Sequence, residues 1–132
     1  MTAAQITPNV VDSSGWLEYF TDSERAPLFA PAIEDAESLL VPVIILYEVC
    51  KKVLRERGEN AALQIASMMQ TGRIIDLDSS LALEAMRHPL PLADSLIYAT
   101  ALRHGATLWT QDEHFQDLPQ VRYFPKNPAT GA

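Results

Sequence analysis

Residues 107–112, Thr107-Leu108-Trp109-Thr110-Gln111-Asp112, combine an apolar, β-prone run with a carboxylate shortly after it. The same pattern occurs near the start of the chain, where Val10-Val11 precedes Asp12. A short apolar run bounded by polar residues is typical of a strand buried in a parallel sheet. In an alternating α/β chain the carboxyl ends of such strands share one edge of the sheet, where ligands usually bind. The two acids are therefore expected at the same edge.

Helical segments alternate with strands along the rest of the chain. Apolar positions recur at helical spacing over residues 43–57, and Gly58 is a stop signal after them. A second helix is predicted over residues 92–103, because Pro91 can start a helix and Gly105 breaks it. Further strands are predicted at residues 39–41, 73–77 and 121–124. This alternation predicts an α/β fold.

Two further acids fall on the predicted helices. Glu48 lies in the first turns of the helix that begins at Val43, and Asp94 opens the helix that follows Pro91. The first turns of such helices open on the same edge as the strand ends, so all four carboxylates can converge. Two unit charges about 4 Å apart repel by roughly 1 kcal/mol in water and about 4 kcal/mol at an effective dielectric near 20. A hard divalent cation with oxygen ligands would relieve this repulsion.

Length and composition set the frame for these motifs. The 132 residues fit a single domain, 1–132, in which about 125–132 is expected to be a flexible tail. The single cysteine, Cys50, excludes an intrachain disulfide and fits a cytoplasmic location. The amino terminus lacks the pattern of a secretory signal, and the longest apolar stretch, 39–47, is far shorter than the roughly 20 residues that span a bilayer. Neither export nor membrane insertion is expected.

The charge of the chain limits how it could bind nucleic acid. A net charge of −7 and a pI of about 4.8 argue against a general electrostatic grip on a polyanion. The one dense basic cluster follows Glu48 on the same predicted helix and consists of Lys51, Lys52, Arg55 and Arg57. Two interpretations stay open: contact with RNA phosphates, or ordinary ion pairing with acids of the same helix such as Glu56.

Four blocks of sequence carry a resemblance to a known family. They are Val11-Asp12-Ser13-Ser14, Ile45-Leu46-Tyr47-Glu48-Val49, Leu92-Ala93-Asp94-Ser95-Leu96-Ile97-Tyr98-Ala99-Thr100-Ala101 and Leu108-Trp109-Thr110-Gln111-Asp112-Glu113-His114-Phe115. Together they resemble the PIN-domain ribonucleases, and within them the VapC-type toxins of bacterial toxin-antitoxin pairs. The last two blocks are the most specific, because each sets an acid in a characteristic frame of apolar and small residues. The resemblance covers nearly the whole chain.

The resemblance implies a PIN-like, three-layer α/β/α fold with a central, mainly parallel sheet. It also implies a metal-dependent endoribonuclease that is selective for single strands, restrained by a cognate antitoxin with a basic inhibitory segment, and homodimeric. One or two Mg²⁺ ions, with Mn²⁺ as a substitute, would be held by Asp12, Glu48, Asp94 and Asp112. Thr110 and Ser13 or Ser14 would assist through hydroxyl or water contacts, and Asp117 is an extra acid near the last motif.

The residue types agree with this metal independently of the family. Carboxylates suit Mg²⁺ or Mn²⁺, whereas zinc favours His and Cys ligands, and His88, His104 and His114 are not spaced as a zinc motif. Each acid taken alone has a structural explanation: a helix cap, a charge at a helix amino end, a turn, or a pair with a lysine four residues on. Their joint match to one motif frame favours the metal site. The separate roles of the four acids and the identity of the RNA are left open.

Two other functions are compatible with the same sequence. One is a PIN-like nuclease of RNA processing that is not a toxin. The other is a catalytically inactive PIN module that binds proteins, and the complete set of four acids argues against it.

Overall fold

The structure is a computed structural model that describes residues 6–126, so residues 127–132 of the expected tail lie outside the described part. Its strands are β1 (Asn9–Val11), β2 (Leu39–Pro42), β3 (Arg73–Ile75), β4 (Thr107–Thr110) and β5 (Val121–Tyr123). Its α-helices are α1 (Ser13–Phe20), α2 (Ala26–Ile33), α3 (Val43–Arg57), α4 (Glu59–Met69), α5 (Ser79–Ala85) and α6 (Leu92–Arg103). Short 3₁₀ turns span Ala36–Ser38 and Glu113–Phe115. The predicted α/β fold is confirmed.

The five strands form one sheet in the order β3-β2-β1-β4-β5, and each neighbouring pair is parallel. Strands β2 and β3 follow one another on one side of β1, and β4 and β5 lie on its other side. Because crossovers between parallel strands are right-handed, α1–α4 cover one face of the sheet and α5 and α6 the other. The strand order reverses between β1 and β4. At such a point the connections on either side diverge and leave a crevice beyond the strand ends.

The strands are held by their position in the core. Val10, Val11, Val41 and Leu108 are fully buried in one main cluster that also includes Phe29. Full burial of a side chain of this size contributes roughly 1.5–3 kcal/mol, so strands of three or four residues persist although they are short. A smaller cluster joins α5 to α6.

The tight start of α1 fixes the residues that follow β1. A Cβ atom on Gly15 would lie 2.6 Å from Phe29 Cδ1 and 2.8 Å from Val11 Cγ1. Both distances are shorter than van der Waals contact, so only glycine lets α1 approach α2 and β1 this closely. The turn that contains Asp12 and Ser13 is therefore held firmly against the end of the sheet.

The predicted elements agree closely with the observed ones except at the sheet margins. The helices over 43–57 and 92–103 begin and end as predicted. The strand predicted over 73–77 ends at Ile75, because its only neighbour ends at Pro42, the residue that pairs with Ile75. In the part of the chain that the structure describes, no helix is long and apolar enough to cross a bilayer.

Candidate metal site and active-site cleft

A cleft of about 700 Å³ opens at the reversal of strand order, beyond the carboxyl ends of β1 and β4. All four acids singled out in the sequence line this one cleft: Asp12, Glu48, Asp94 and Asp112. The rest of its lining consists of Ser13, Ser14, Gln111, Glu113, Tyr123, Pro125 and Lys126. Asp12 and Asp112, which are 100 positions apart in the chain, thus meet Glu48 and Asp94 because two strands end and two helices begin at the same place.

One side of the cleft is more buried, and we call it the buried wall: Asp12 and Thr110, which are buried, and Ser13 and Glu48, which are half-buried. Asp12 is 5% exposed, and its Oδ1 accepts a hydrogen bond of 2.8 Å from the backbone N–H of Ser13. Its Oδ2 accepts a bond of 2.8 Å from the hydroxyl of Thr110, which is fully buried. The same hydroxyl oxygen accepts a 2.9 Å bond from the backbone N–H of Asp112. Thr110 therefore fixes the acids of both strand ends relative to each other.

Asp12 also caps α1, so the helix-cap explanation of this residue is correct as far as it goes. The pKa of Asp12 is raised from 3.8 to about 6: burial raises it most, the hydrogen bonds from Thr110 and Ser13 lower it, and the charges of Asp94 and Asp112 add to the increase. A charged carboxylate in a dehydrated place is costly unless a cation accompanies it. The environment of Asp12 is therefore one in which a bound cation would be strongly stabilising.

Glu48 reaches the cleft from α3 and is held by Ser13. The Ser13 hydroxyl donates a hydrogen bond of 2.5 Å to Glu48 Oε1, across 35 residues of sequence. Lys52, the lysine four residues on, forms its ion pair with Glu56 at 3.6 Å. The carboxylate of Glu48 is thus directed toward the cleft by a group of the buried wall.

The other side of the cleft is more exposed, and we call it the open wall: Asp94 and Asp112, which line the cleft, and His114, which contacts both of them from outside the lining. Their side chains are 15%, 34% and 54% exposed. His114 Nδ1 lies 2.9 Å from Asp94 Oδ2 and 3.2 Å from Asp112 Oδ1, and the backbone N–H of His114 donates to Asp112 Oδ1 at 2.9 Å. Burial and the charge of Asp112 raise the pKa of Asp94, and the charge of Asp112 together with the bond to Asp94 raises the pKa of His114.

The donor atoms of this cleft fit a divalent cation. Asp94, Asp112 and His114 each offer one ligand atom, and these atoms all lie within 4.8 Å of one another. Asp12 and Glu48 add carboxylate oxygens from the same cleft. A set dominated by carboxylates suits a hard ion with oxygen ligands.

His114 was not predicted in the site. The available signal was local: His114 lies two residues after Asp112, inside the 3₁₀ turn that the Asp112 side chain caps. The capping bond from the backbone N–H of His114 to Asp112 Oδ1 keeps this residue next to the acid. Zinc-ligand spacing carries no information about such a pairing.

A hydrogen-bond network around Gln111, which the sequence did not indicate, connects the cleft to α1 and α2. Gln111 is 3% exposed; its Oε1 accepts a 2.6 Å bond from Arg25 Nε, and its Nε2 donates a 2.8 Å bond to Glu18 Oε2. Arg25 Nη2 also donates to the carbonyl oxygen of Phe124 at 3.0 Å, and Nη1 lies 3.5 Å from that of Lys126. This network ties α1, the start of α2 and the segment after β5 to the residue between Thr110 and Asp112. No sequence signal links positions that are 86 residues apart.

The basic residues of α3 lie outside the cleft lining. Lys51, Lys52 and Arg55 are exposed. Lys51 Nζ lies 3.0 Å from the Tyr47 hydroxyl and over its ring, and Lys52 lines a smaller groove of about 270 Å³ between α1 and α3. Ion pairing accounts for Lys52, while contact with RNA stays a prediction for all three. Asp117 is exposed and does not line the cleft.

The fold and the cleft together define a class: a parallel α/β domain with a carboxylate site where the strand order reverses. A model of the PIN domain family matches residues 10–121, and the chain belongs to this family. The family resemblance seen in the sequence is therefore confirmed.

Several solved structures with a similar fold are of toxins or toxin-antitoxin complexes. A toxin-antitoxin complex from Klebsiella pneumoniae is 20% identical over 86% of this chain and 95% of the other, with a TM-score of 0.74. VapC20 of Mycobacterium tuberculosis, a sarcin-ricin loop cleaving toxin, is 17% identical over 81% and 92%, with a TM-score of 0.66. DNA-bound VapBC of Salmonella typhimurium is 14% identical over 90% and 98%, with a TM-score of 0.69. At these identities the likeness shows the fold. The comparison with curated protein sequences gave no match.

Proposed function

We propose that this protein is a metal-dependent endoribonuclease that hydrolyses phosphodiester bonds of RNA. The observation that carries the proposal is the convergence of Asp12, Glu48, Asp94 and Asp112 in one cleft of a PIN-family fold. A similar fold belongs to a toxin described as cleaving the sarcin-ricin loop, which supports a nucleolytic role.

The metal we propose is Mg²⁺, with Mn²⁺ as a substitute, held by these four acids. When bound, such an ion supplies an activated water and neutralises charge that develops on the phosphate oxygens. The cleft requires this compensation, because its lining includes five acids and one lysine, Lys126. Without a cation, a phosphodiester would meet a strongly repulsive surface.

The contribution of the protein itself is to position these groups. Thr110 holds Asp12 and the backbone of Asp112 in a fixed relation, and Ser13 orients Glu48. Ligands that are oriented in advance by such hydrogen bonds bind an ion and a substrate with little reorganisation. Glu48 and Asp94 are less buried than Asp12; in this proposal they complete the ligand shell, directly or through water, and one of them positions the attacking water.

The biological role we propose is that of a toxin restrained by a cognate antitoxin. The similar folds found in toxin-antitoxin complexes support this role. The acidic cleft would be covered by an Arg or Lys of a basic inhibitory segment, since a guanidinium or ammonium group can satisfy the same carboxylates as a metal. We further propose a cytoplasmic homodimer, with Lys51, Lys52 and Arg55 as outer contacts to RNA phosphates.

The enzymatic proposal is tested by incubating the purified protein with cellular RNA and Mg²⁺ or Mn²⁺ and mapping the new ends. We expect defined cleavage sites that disappear in chelator and in Asp112→Asn, in which the amide keeps the shape but removes a ligand charge. Equal cleavage by wild type and Asp112→Asn would refute the assignment of the site.

The toxin role is tested separately by expression in cells. We expect growth arrest that is relieved by co-expression of the neighbouring reading frame, whose product should form a stable complex with this protein. Cleavage without arrest would indicate a processing nuclease instead. A stable partner complex without cleavage would indicate an inactive binding module.

A further inference from the structure

His114 has a geometry that the four acids do not explain. Its Nδ1 lies 2.9 Å from Asp94 Oδ2 and 3.2 Å from Asp112 Oδ1, so one ring nitrogen faces two carboxylates on different elements. The two acids are brought together by α6 and by the turn after β4, and the ring that contacts both is itself 54% exposed. A side chain that packs merely against the surface would not need to meet both carboxylates with the same atom.

The spacing of Nδ1 from the two carboxylate oxygens is compatible with neighbouring ligands around one ion. For metal–ligand bonds of about 2.1 Å in an octahedral shell, adjacent ligands lie about 3.0 Å apart. The two nitrogen–oxygen distances, 2.9 and 3.2 Å, are close to this edge length, and the three residues each offer a ligand atom within 4.8 Å of the others. Against an ionised carboxylate Nδ1 carries the ring hydrogen and donates it. A cation would take the place of that hydrogen at the same atom, with the ring proton on Nε2.

We propose that His114 is a nitrogen ligand of the divalent ion and that it shifts the preference of the site from Mg²⁺ toward Mn²⁺ and other first-row transition ions. The inference rests on the proposed function insofar as the acids bind a metal at all. Mg²⁺ demands near-ideal oxygen coordination and keeps several waters. A first-row transition ion gains more from an imidazole nitrogen, and its affinity rises in the order Mn²⁺, Fe²⁺, Co²⁺. A mixed site of carboxylates and one imidazole therefore favours these ions over Mg²⁺.

The test compares ligand identity and ion preference in wild type, His114→Asn and a matched control, His104→Asn. His104 is a suitable control because its Nδ1 contacts the Thr100 carbonyl at the end of α6, whereas His114 Nδ1 contacts the carboxylates of Asp94 and Asp112. Pulsed electron paramagnetic resonance of bound Mn²⁺ detects coupling to the nitrogen of a coordinated imidazole. Competition of Mg²⁺ against Mn²⁺, followed by the signal of free Mn²⁺, gives the affinity ratio. Asp112→Asn shows whether the Mn²⁺ occupies this cleft.

We expect imidazole coupling in wild type and His104→Asn and its loss in His114→Asn, together with a fall of about tenfold or more in the preference for Mn²⁺ over Mg²⁺. Mn²⁺ binding that depends on Asp112 but shows no imidazole coupling, with an unchanged ratio in His114→Asn, would overturn the role of His114 and leave the nuclease proposal intact. Mn²⁺ binding that is absent or insensitive to Asp112→Asn would overturn both. His114→Gln provides a second variant if the first does not fold.

Discussion

The two walls of the cleft carry the same chemical groups in opposite environments. On the buried wall, Asp12 is 5% exposed and receives hydrogen bonds on both carboxylate oxygens, one from a backbone N–H and one from a buried hydroxyl. On the open wall, Asp112 is 34% exposed, and its neighbour His114 is 54% exposed. The rigid, dehydrated carboxylate of Asp12 thus faces the side chains of Asp112 and His114, which solvent can reach.

In the proposed metal site, this difference would give the two walls different roles. The buried wall would determine where an ion binds, because its geometry is fixed by strand register and helix capping. The open wall is accessible from the solvent side and can adjust to a phosphate or to the side chain of a partner. A site built in this way gains precision from one side and access from the other.

From the difference between the two walls we expect the largest effect when the buried acid, Asp12, loses its charge. Asp12→Asn should lower the rate of RNA cleavage on the order of 10³-fold, which corresponds to about 4 kcal/mol in the activation barrier. The reason is that the substitution removes a charge that the ion requires. Single-turnover cleavage at saturating Mn²⁺ measures this change. The fold should survive, as circular dichroism can verify, since the amide oxygen can still accept from Ser13. Retention of near wild-type activity would show that the buried wall is not part of the site.

Asp12 should also make the stability of the metal-free protein depend on pH. Its pKa is raised from 3.8 to about 6 in the folded state, so the folded protein holds this proton more tightly than the unfolded chain. The stability that Asp12 contributes is therefore highest below pH 3.8 and falls as the pH rises to about 6, by roughly 3 kcal/mol. Urea unfolding in chelator should show Asp12→Asn gaining stability relative to wild type across this window. Parallel pH curves for the two proteins would contradict the burial argument.

Metal binding should stabilise the folded protein through both walls. Mn²⁺ at 100 times its Kd raises the free energy of unfolding by about 2.7 kcal/mol if it binds the folded state alone. Asp94→Asn should reduce this increment and can stabilise the metal-free protein by relieving repulsion from Asp112. Glu37→Gln is the control, because this exposed acid precedes β2 at the opposite edge of the sheet. Equal Mn²⁺-dependent shifts in melting temperature for all three proteins would remove Asp94 from the site.

The hydroxyl that joins the strand ends should matter more than a comparable hydroxyl elsewhere. Thr110→Val leaves the N–H of Asp112 and one oxygen of Asp12 without their partner, at a cost of about 2 kcal/mol in the free energy of unfolding. Thr100→Val is the matched control, because the equally buried Thr100 hydroxyl bonds only a helix carbonyl. Denaturant unfolding and Mn²⁺ titration of both variants measure the difference. If Thr100→Val weakened Mn²⁺ binding as much as Thr110→Val, the linking role would be wrong.

The smallest effect is expected outside the cleft. Replacing Lys51, Lys52 and Arg55 by Gln should change stability by less than about 1 kcal/mol, since exposed ion pairs contribute little. If these residues contact RNA, cleavage at low salt should slow and its dependence on salt concentration should weaken. Arg73→Gln, at the amino end of β3, controls for the loss of one positive charge away from α3. An unchanged salt dependence in the triple variant would leave ion pairing as their only role.

The sequence alone determined the fold class and the edge at which the acids meet. Apolar runs that stop at Asp12 and Asp112, and helices that open near Glu48 and Asp94, are local patterns, because strand and helix periodicity acts within a few residues. Where strands and helices alternate, the right-handedness of the crossovers allows few sheet topologies. The sequence therefore predicted that the four acids lie at the same edge of the sheet. The family resemblance narrowed the choice further, and the family match to residues 10–121 agrees with it.

The hydrogen bonds that hold the acids could be read only from the tertiary structure. The register that pairs Val11 with Trp109 brings Asp12 beside Thr110, although 98 residues separate them, and no local pattern encodes that register. The contact of Gln111 with Arg25 and the place of His114 between two carboxylates likewise depend on how distant elements pack. Side-chain hydrogen bonds are directional and reach about 3 Å, so they form only after the sheet has fixed which residues face each other.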